Sequence, residues 1–170
     1  MASWTTPVIH STGDILAVTD WNGVANNETF LYQKPYVAAF DSGGTSISTD
    51  IPTQINLAST AFSGYGFSVS SNNVVVPLTG IYAAYWTITI SGGSGSGNDE
   101  LISQLYQNGS SLLGGAIVPS YTGNPASSGS GLVSCTASDE IALYAIQTSG
   151  STLVTIDGAS FLHMVYQGSQ

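Results

Sequence analysis

Residues 80–90, GIYAAYWTITI, constrain this chain more than any other segment. An alternation of period 2 places Ile81, Ala83 and Tyr85 on one side of a strand and Tyr82, Ala84, Trp86, Ile88 and Ile90 on the other. A strand in an antiparallel two-layer protein ordinarily keeps one dry face and one wet face. Here both faces are apolar. The strand must therefore be covered twice, once by its own core and once by something else.

The rest of the chain from Pro35 onward carries the same period. Short runs rich in Val, Ile, Tyr, Phe and Thr alternate with Gly, Ser, Asn and Pro clusters. Strands are expected near 36–41, 46–50, 54–58, 65–70, 73–78, 81–90, 100–107, 112–118, 130–137, 140–147, 152–156 and 160–167. Loops are expected at 91–99 (SGGSGSGND), 107–111 (QNGSS) and 121–129 (YTGNPASSG). Many short strands without a helix between them predict an all-β sandwich or jelly roll. SGGSGSG could pass for a linker, but inside a strand-rich block it reads as a loop.

Charge then removes whole classes of function. Ten acidic residues stand against one basic residue, Lys34, and the net charge is -9. Binding to a phosphate backbone needs several Lys or Arg, so nucleic acid is not an expected partner. Anionic lipid is not an expected partner on the same ground. No apolar run approaches the roughly 20 residues that span a bilayer, so no membrane role is expected. Lys34, in QKPY, is far from any Gly-rich loop and cannot serve a P-loop. The lone Cys135 cannot build an intrachain disulfide framework. The opening MASWTTPVIHS lacks the basic and long apolar regions of a signal peptide, so no secretion signal is expected.

Residues 1–34 differ in pattern from residues 35–168 and are expected to form a separate N-terminal arm on a head domain. Thr19 could cap a short helix of about three turns, with Trp21, Val24, Ala25 and Leu31 at rough helical spacing. Pro35 would end it. So small an apolar stripe is marginal alone and must dock on its own domain or on a partner.

Four segments, taken in order, resemble one family. FSVSSNNVVVPLTGIYAAYW is similar to the central signature of the complement recognition head and its tumour-necrosis-factor relatives, in which Gly-x-Tyr opens a long aromatic strand. LISQLYQNGSSL resembles that family's strand ending in an Asn-Gly turn. SGSGLVSCTASDEIALYAI is similar to its Ser-Gly-rich strand and Asp-Glu turn, and ASFLHMVYQG to its terminal strand. The resemblance implies a ten-stranded antiparallel jelly roll that assembles as a homotrimer. It further implies that Ile81, Ala83 and Tyr85, together with Phe161, His163 and Val165, face the threefold axis. Tyr82, Ala84, Trp86, Leu162 and Met164 would then fill the core. The arm, WTTP...HSTGDILAVTDWNGVANNETFLY, is similar to a leader found on many bacteriophage structural proteins.

Catalytic machinery is not expected. Two histidines and no Gly-x-Ser-x-Gly elbow are present, and no cofactor or metal is expected. His163 reads either as a hydrogen-bonded residue of a packed interface or, through three converging copies, as an ion site or pH switch. Cys135 reads as a small buried apolar residue rather than a reactive thiol. Asn98, Asp99 and Glu100 offer too few carboxylates to prefer Ca²⁺ over a solvated turn. Tyr65, Tyr106 and Tyr121, at strand ends or loops, could stack on sugar rings. The expected function is a non-catalytic bacteriophage virion structural protein: a trimeric surface knob acting as capsid decoration, head fibre or tail-associated protein. Trp4, Trp21, Val24 and Leu31 would dock it on other virion proteins. The alternative is a recognition module that binds a host receptor or glycan. The expected location is the virion surface, after synthesis in the host cytoplasm.

Overall fold

The computed structural model describes residues 6, 18–32, 34–64, 66–94, 99–115, 118–119 and 122–169. Helix α1 covers Val18–Tyr32, 15 residues, so it is a turn longer than expected and Thr19 lies inside it rather than at its cap. No helix among the described residues is long and apolar enough to cross a membrane.

Every described element after Pro35 is strand or turn. In chain order the strands are Tyr36–Asp41 (β1), Ser46–Ile47 (β2), Thr53–Gln54 (β3), Leu57–Gly64 (β4), Ser68–Ser70 (β5) and Asn73–Val75 (β6). Next come Gly80–Ser91 (β7), Gly93–Ser94 (β8), Glu100–Gln107 (β9), Ser110–Gly114 (β10) and Val118–Pro119 (β11). Thr122–Gly123 (β12), Ala126–Cys135 (β13), Glu140–Gln147 (β14), Leu153–Thr155 (β15) and Phe161–Gly168 (β16) complete the set. One sheet runs β2-β15-β7-β16-β1-β4, with β13 also pairing with β7. The second runs β10-β9-β14-β6-β5, with β3 on β14 and β11 on β9, and β8 pairs with β12. The named strands pair antiparallel throughout. The result is an all-β jelly-roll sandwich.

The core lies between the sheets. Tyr82, Ala84, Trp86, Leu162 and Met164, the residues expected there, are all essentially sealed from solvent. They meet Leu101, Leu105, Ile141 and Leu143 of the opposite sheet in one cluster. Trp86 sets the spacing. Its Nε1–H donates to Ser103 Oγ at 3.0 Å, and Ser127 Oγ donates to the same oxygen at 2.9 Å. Both serines are fully buried and pair with each other, which is what makes them tolerable in a core.

Several strand boundaries differ from the sequence expectation for identifiable reasons. β13 starts at Ala126, well before residue 130, because its small residues are packed against other strands rather than lying in a loop. A Cβ on Gly129 would strike the indole of Trp86, and one on Gly131 would lie 2.7 Å from Leu113 Cδ1. The expected strand 54–58 is instead a crossing between sheets: β3 pairs with β14, whereas β4 pairs with β1. The expected strand 46–50 stops at Ile47, and the chain turns at Asp50, whose φ is +60°. The expected 112–118 is two pieces, β10 and β11, and the loop 91–99 contains β8. The Asn-Gly hairpin is as expected: Asn108 and Gly109 both have positive φ, the geometry that matches strand twist in a two-residue turn.

Candidate functional site

The outward side of the first sheet carries the second apolar face of β7, and strand alternation alone builds it. β1 turns Val37, Ala39 and Asp41 inward, which leaves Tyr36, Ala38 and Phe40 outside. β16 turns Leu162, Met164 and Tyr166 inward, which leaves Phe161, His163 and Val165 outside. β7 leaves Ile81, Ala83 and Tyr85 outside, and β13 leaves Ser128, Ser130, Leu132 and Ser134.

The strand registers align these side chains in three rows across four strands. The first is Tyr36–Val165–Ala83–Leu132, the second Ala38–His163–Tyr85–Ser130, and the third Phe40–Phe161–Thr87–Ser128. The face is thus apolar and aromatic in its middle. Along the third row's outer end it becomes polar, where Thr87 and Ser128 share a 2.8 Å hydrogen bond. Tyr85 is 52 % exposed and Leu132 69 %, values far from what a large apolar side chain in a finished core would show.

Aromatic packing organises the centre. Phe40 and Phe161 lie 6.0 Å apart, Phe40 meets the His163 ring edge-on at 5.7 Å, and Phe161 lies 4.5 Å from it. Within this cluster His163 Nε2 is buried without a hydrogen-bond partner among the described residues. Burial pushes the imidazole below its usual range of titration.

All six residues expected at an interface, Ile81, Ala83, Tyr85, Phe161, His163 and Val165, lie on this face. Tyr36, Ala38, Phe40 and Leu132 belong to it too, and sequence reasoning misses them. The signal for the first three is present, because YVAAF is apolar at both alternations just as β7 is. Leu132 is hidden by its Ser and Gly neighbours.

The other candidates are scattered. On α1, Trp21 and Val24 are exposed, as is Val18. Trp4 and the side chain of Leu31 lie outside the described residues, as do Tyr65 and Tyr121. Tyr106, at the end of β9, is half-buried and stacks on Tyr144 with ring centroids 4.0 Å apart. Asn98 is outside the described residues, and no group of three or more His, Cys, Asp or Glu among the described residues could hold a metal ion. Cys135 is buried, and its burial pushes the thiol up to about 12.

No protein-family model and no curated protein matches the chain. Solved structures do. Murine APRIL at pH 5.0 superposes with a TM-score of 0.60 at 16% identity, over 79% of this chain and 100% of that one. The Eiger TNF structure from S. frugiperda gives 0.57 at 18% identity, over 81% and 96%. The globular domain of zebrafish complement 1qA protein gives 0.55 at 12% identity, over 81% and 100%. The chain therefore has the jelly-roll fold of the tumour-necrosis-factor and complement 1q globular structures.

Proposed function

We propose that this protein is a non-catalytic homotrimeric surface module whose outer sheet faces close against one another about a threefold axis. The outer face of β1, β16, β7 and β13 carries this reading. A contiguous apolar patch of that kind marks an interaction surface, and left open it invites aggregation. Cyclic closure by copies of the same chain covers it without leaving an open end.

The biological setting that fits is the surface of a bacteriophage particle, with the head projecting outward as a capsid decoration, head fibre or tail-associated knob. Two observations support it: the leader-like sequence of residues 1–34, and the exposed apolar side chains of Val18, Trp21 and Val24 on α1, which suit docking to another virion protein. An acidic chain with a single Lys keeps such a protein soluble at high local density and away from nucleic acid. A second reading, in which the trimer recognises a host receptor or glycan, draws on the stacked Tyr106–Tyr144 pair on the other sheet. Three copies held together would strengthen weak monovalent sites.

Native mass in solution tests the assembly. The full chain is expected at three times its 17.5 kDa mass, and Tyr85→Asp and Leu132→Asp are expected at the monomer mass with their fold intact. A monomeric full chain at neutral pH refutes the proposal. A chain beginning at Pro35 should remain trimeric and lose attachment to particles. If it falls to monomer, the arm belongs to the assembly rather than to docking.

A further inference from the structure

We infer that His163 makes assembly through the outer face acid-labile: the closed face admits the imidazole only in its neutral form, and protonation opens the oligomer. This rests on the homotrimer proposed above and adds to it a control that the fold does not require.

The geometry carries the inference. His163 stands in the middle of the central row, between Ala38 on β1 and Tyr85 on β7. Phe40 and Phe161 pack against its ring. An imidazolium needs an acceptor for each of its two N–H groups. Nε2 is already removed from solvent and has no acceptor among the described residues. A charged ring would therefore hold a buried donor unsatisfied.

Nothing on these four strands offsets that charge. The titratable groups on the same face as His163 are the phenols of Tyr36 on β1 and Tyr85 on β7. The remaining outward positions on β1, β16, β7 and β13 are Ala, Phe, Val, Ile, Leu, Ser and Thr, with the uncharged Gln167 at the end of β16. No Asp or Glu of these strands stands on that face, because Asp41, the acidic residue of β1, points to the other side. Closing the face with further copies removes the remaining water and brings like imidazoles together. Both effects disfavour the cation.

The direction of the pH effect is then fixed. Desolvation depresses the imidazole already in the single subunit, and closure depresses it further. The open face binds protons more readily than the closed one. Assembly is at full strength above the reference value of about 6.5 and weakens once pH falls below the open-face imidazole's own, lowered value.

Sedimentation velocity on the full chain, from pH 8 to pH 5 at constant ionic strength, tests this. Each subunit should contribute about a tenfold loss of association constant per pH unit below the titration of the open-face imidazole. Three copies together then approach about a thousandfold per unit. His163→Gln and His163→Phe, the second keeping an aromatic ring in place, should assemble with little dependence on pH over this range. His10→Gln should retain the native profile. A native trimer unchanged at pH 5 overturns the inference, as does the native pH profile persisting in either His163 variant. A chain already monomeric at pH 8 instead rejects the homotrimer itself.

Discussion

Gly129→Ala tests the packing that fixes the two sheets in place. The added Cβ would collide with the Trp86 indole and lie 2.9 Å from the Gly115 Cα, so neither neighbour can yield cheaply. Trp86 is 1 % exposed and tied by its Nε1–H to Ser103 Oγ. Moving the indole enough to admit a methyl group strains the core by about 1–3 kcal/mol. Losing the indole–serine hydrogen bond in a buried site adds about 1–3 kcal/mol. The lower unfolded-state entropy of Ala returns about 0.4–1 kcal/mol. The net loss is about 1–6 kcal/mol and centres on about 3, a large share of the roughly 5–15 kcal/mol that holds a domain together. In thermal unfolding a chain of this size should lose roughly 5–12 °C. Gly131→Ala is the control. There the Cβ meets only the end of the half-buried Leu113 side chain, which can rotate, so the cost should stay below about 1 kcal/mol. Trp86→Phe in the Gly129→Ala background removes the ring atoms that collide and should recover part of the loss as a favourable coupling energy. Equal effects at Gly129 and Gly131, or strictly additive effects at Gly129 and Trp86, would refute the reasoning.

Buried and hydrogen-bonded groups give three further expected outcomes. Asp41 is 1 % exposed, and burial raises its carboxyl above 3.8, aided by the charge of Asp157 and opposed by hydrogen bonds from Thr155, Thr45 and the Ser42 backbone. The folded state thus holds that proton more tightly than the unfolded one, and stability falls as pH rises from about 4 through the folded value. The Tm of Asp41→Asn should therefore gain on the native Tm as pH climbs from 4 to 7, and a flat difference would contradict this. Asp139 behaves oppositely. Burial is the largest single influence and pushes it up, but the hydrogen bonds from Asn108 (2.8 Å), the Thr136 N–H (2.7 Å) and Gln107 (2.6 Å) together hold it below 3.8. Its contribution is present above the unfolded value and lost as pH falls through the folded one. Asp139→Ala should thus be less stable than the native chain at pH 7, with the gap closing only below about pH 3.8. Cys135, with its thiol near 12 and 1 % exposed, should resist thiol-specific reagents at pH 8 until denaturant is added. Rapid labelling of the native protein would show that this strand opens.

Period and punctuation made most of the fold legible. The alternation of residues 81–90 and 160–167 divided each strand into two faces, because the side-chain period is 2, and the family resemblance chose which of the two apolar faces fills the core. Asn108–Gly109 announced its hairpin because few residue pairs tolerate two successive positive φ values. Where the chain failed to announce itself, long-range neighbours decided. Ser127 and Gly129 read as loop, yet they are strand, because Ser103 and Trp86 of distant segments require a hydrogen-bonding and a small residue opposite them. Residues 54–58 read as one strand and instead cross between layers, a change set by which sheet each half pairs with.

The outer face shows the same division. That β7 and β16 carry a second apolar side is written in the residues themselves, since alternation is a local property. That β1 joins them, and that Leu132 extends the face across β13, emerges only once the strands have paired. Pairing order is a contest between segments as far apart as Tyr36 and Val165, and no local pattern encodes it. The same is true of His163: its position on the outward side was readable, but the burial of Nε2 came from Phe40 and Phe161 closing around it.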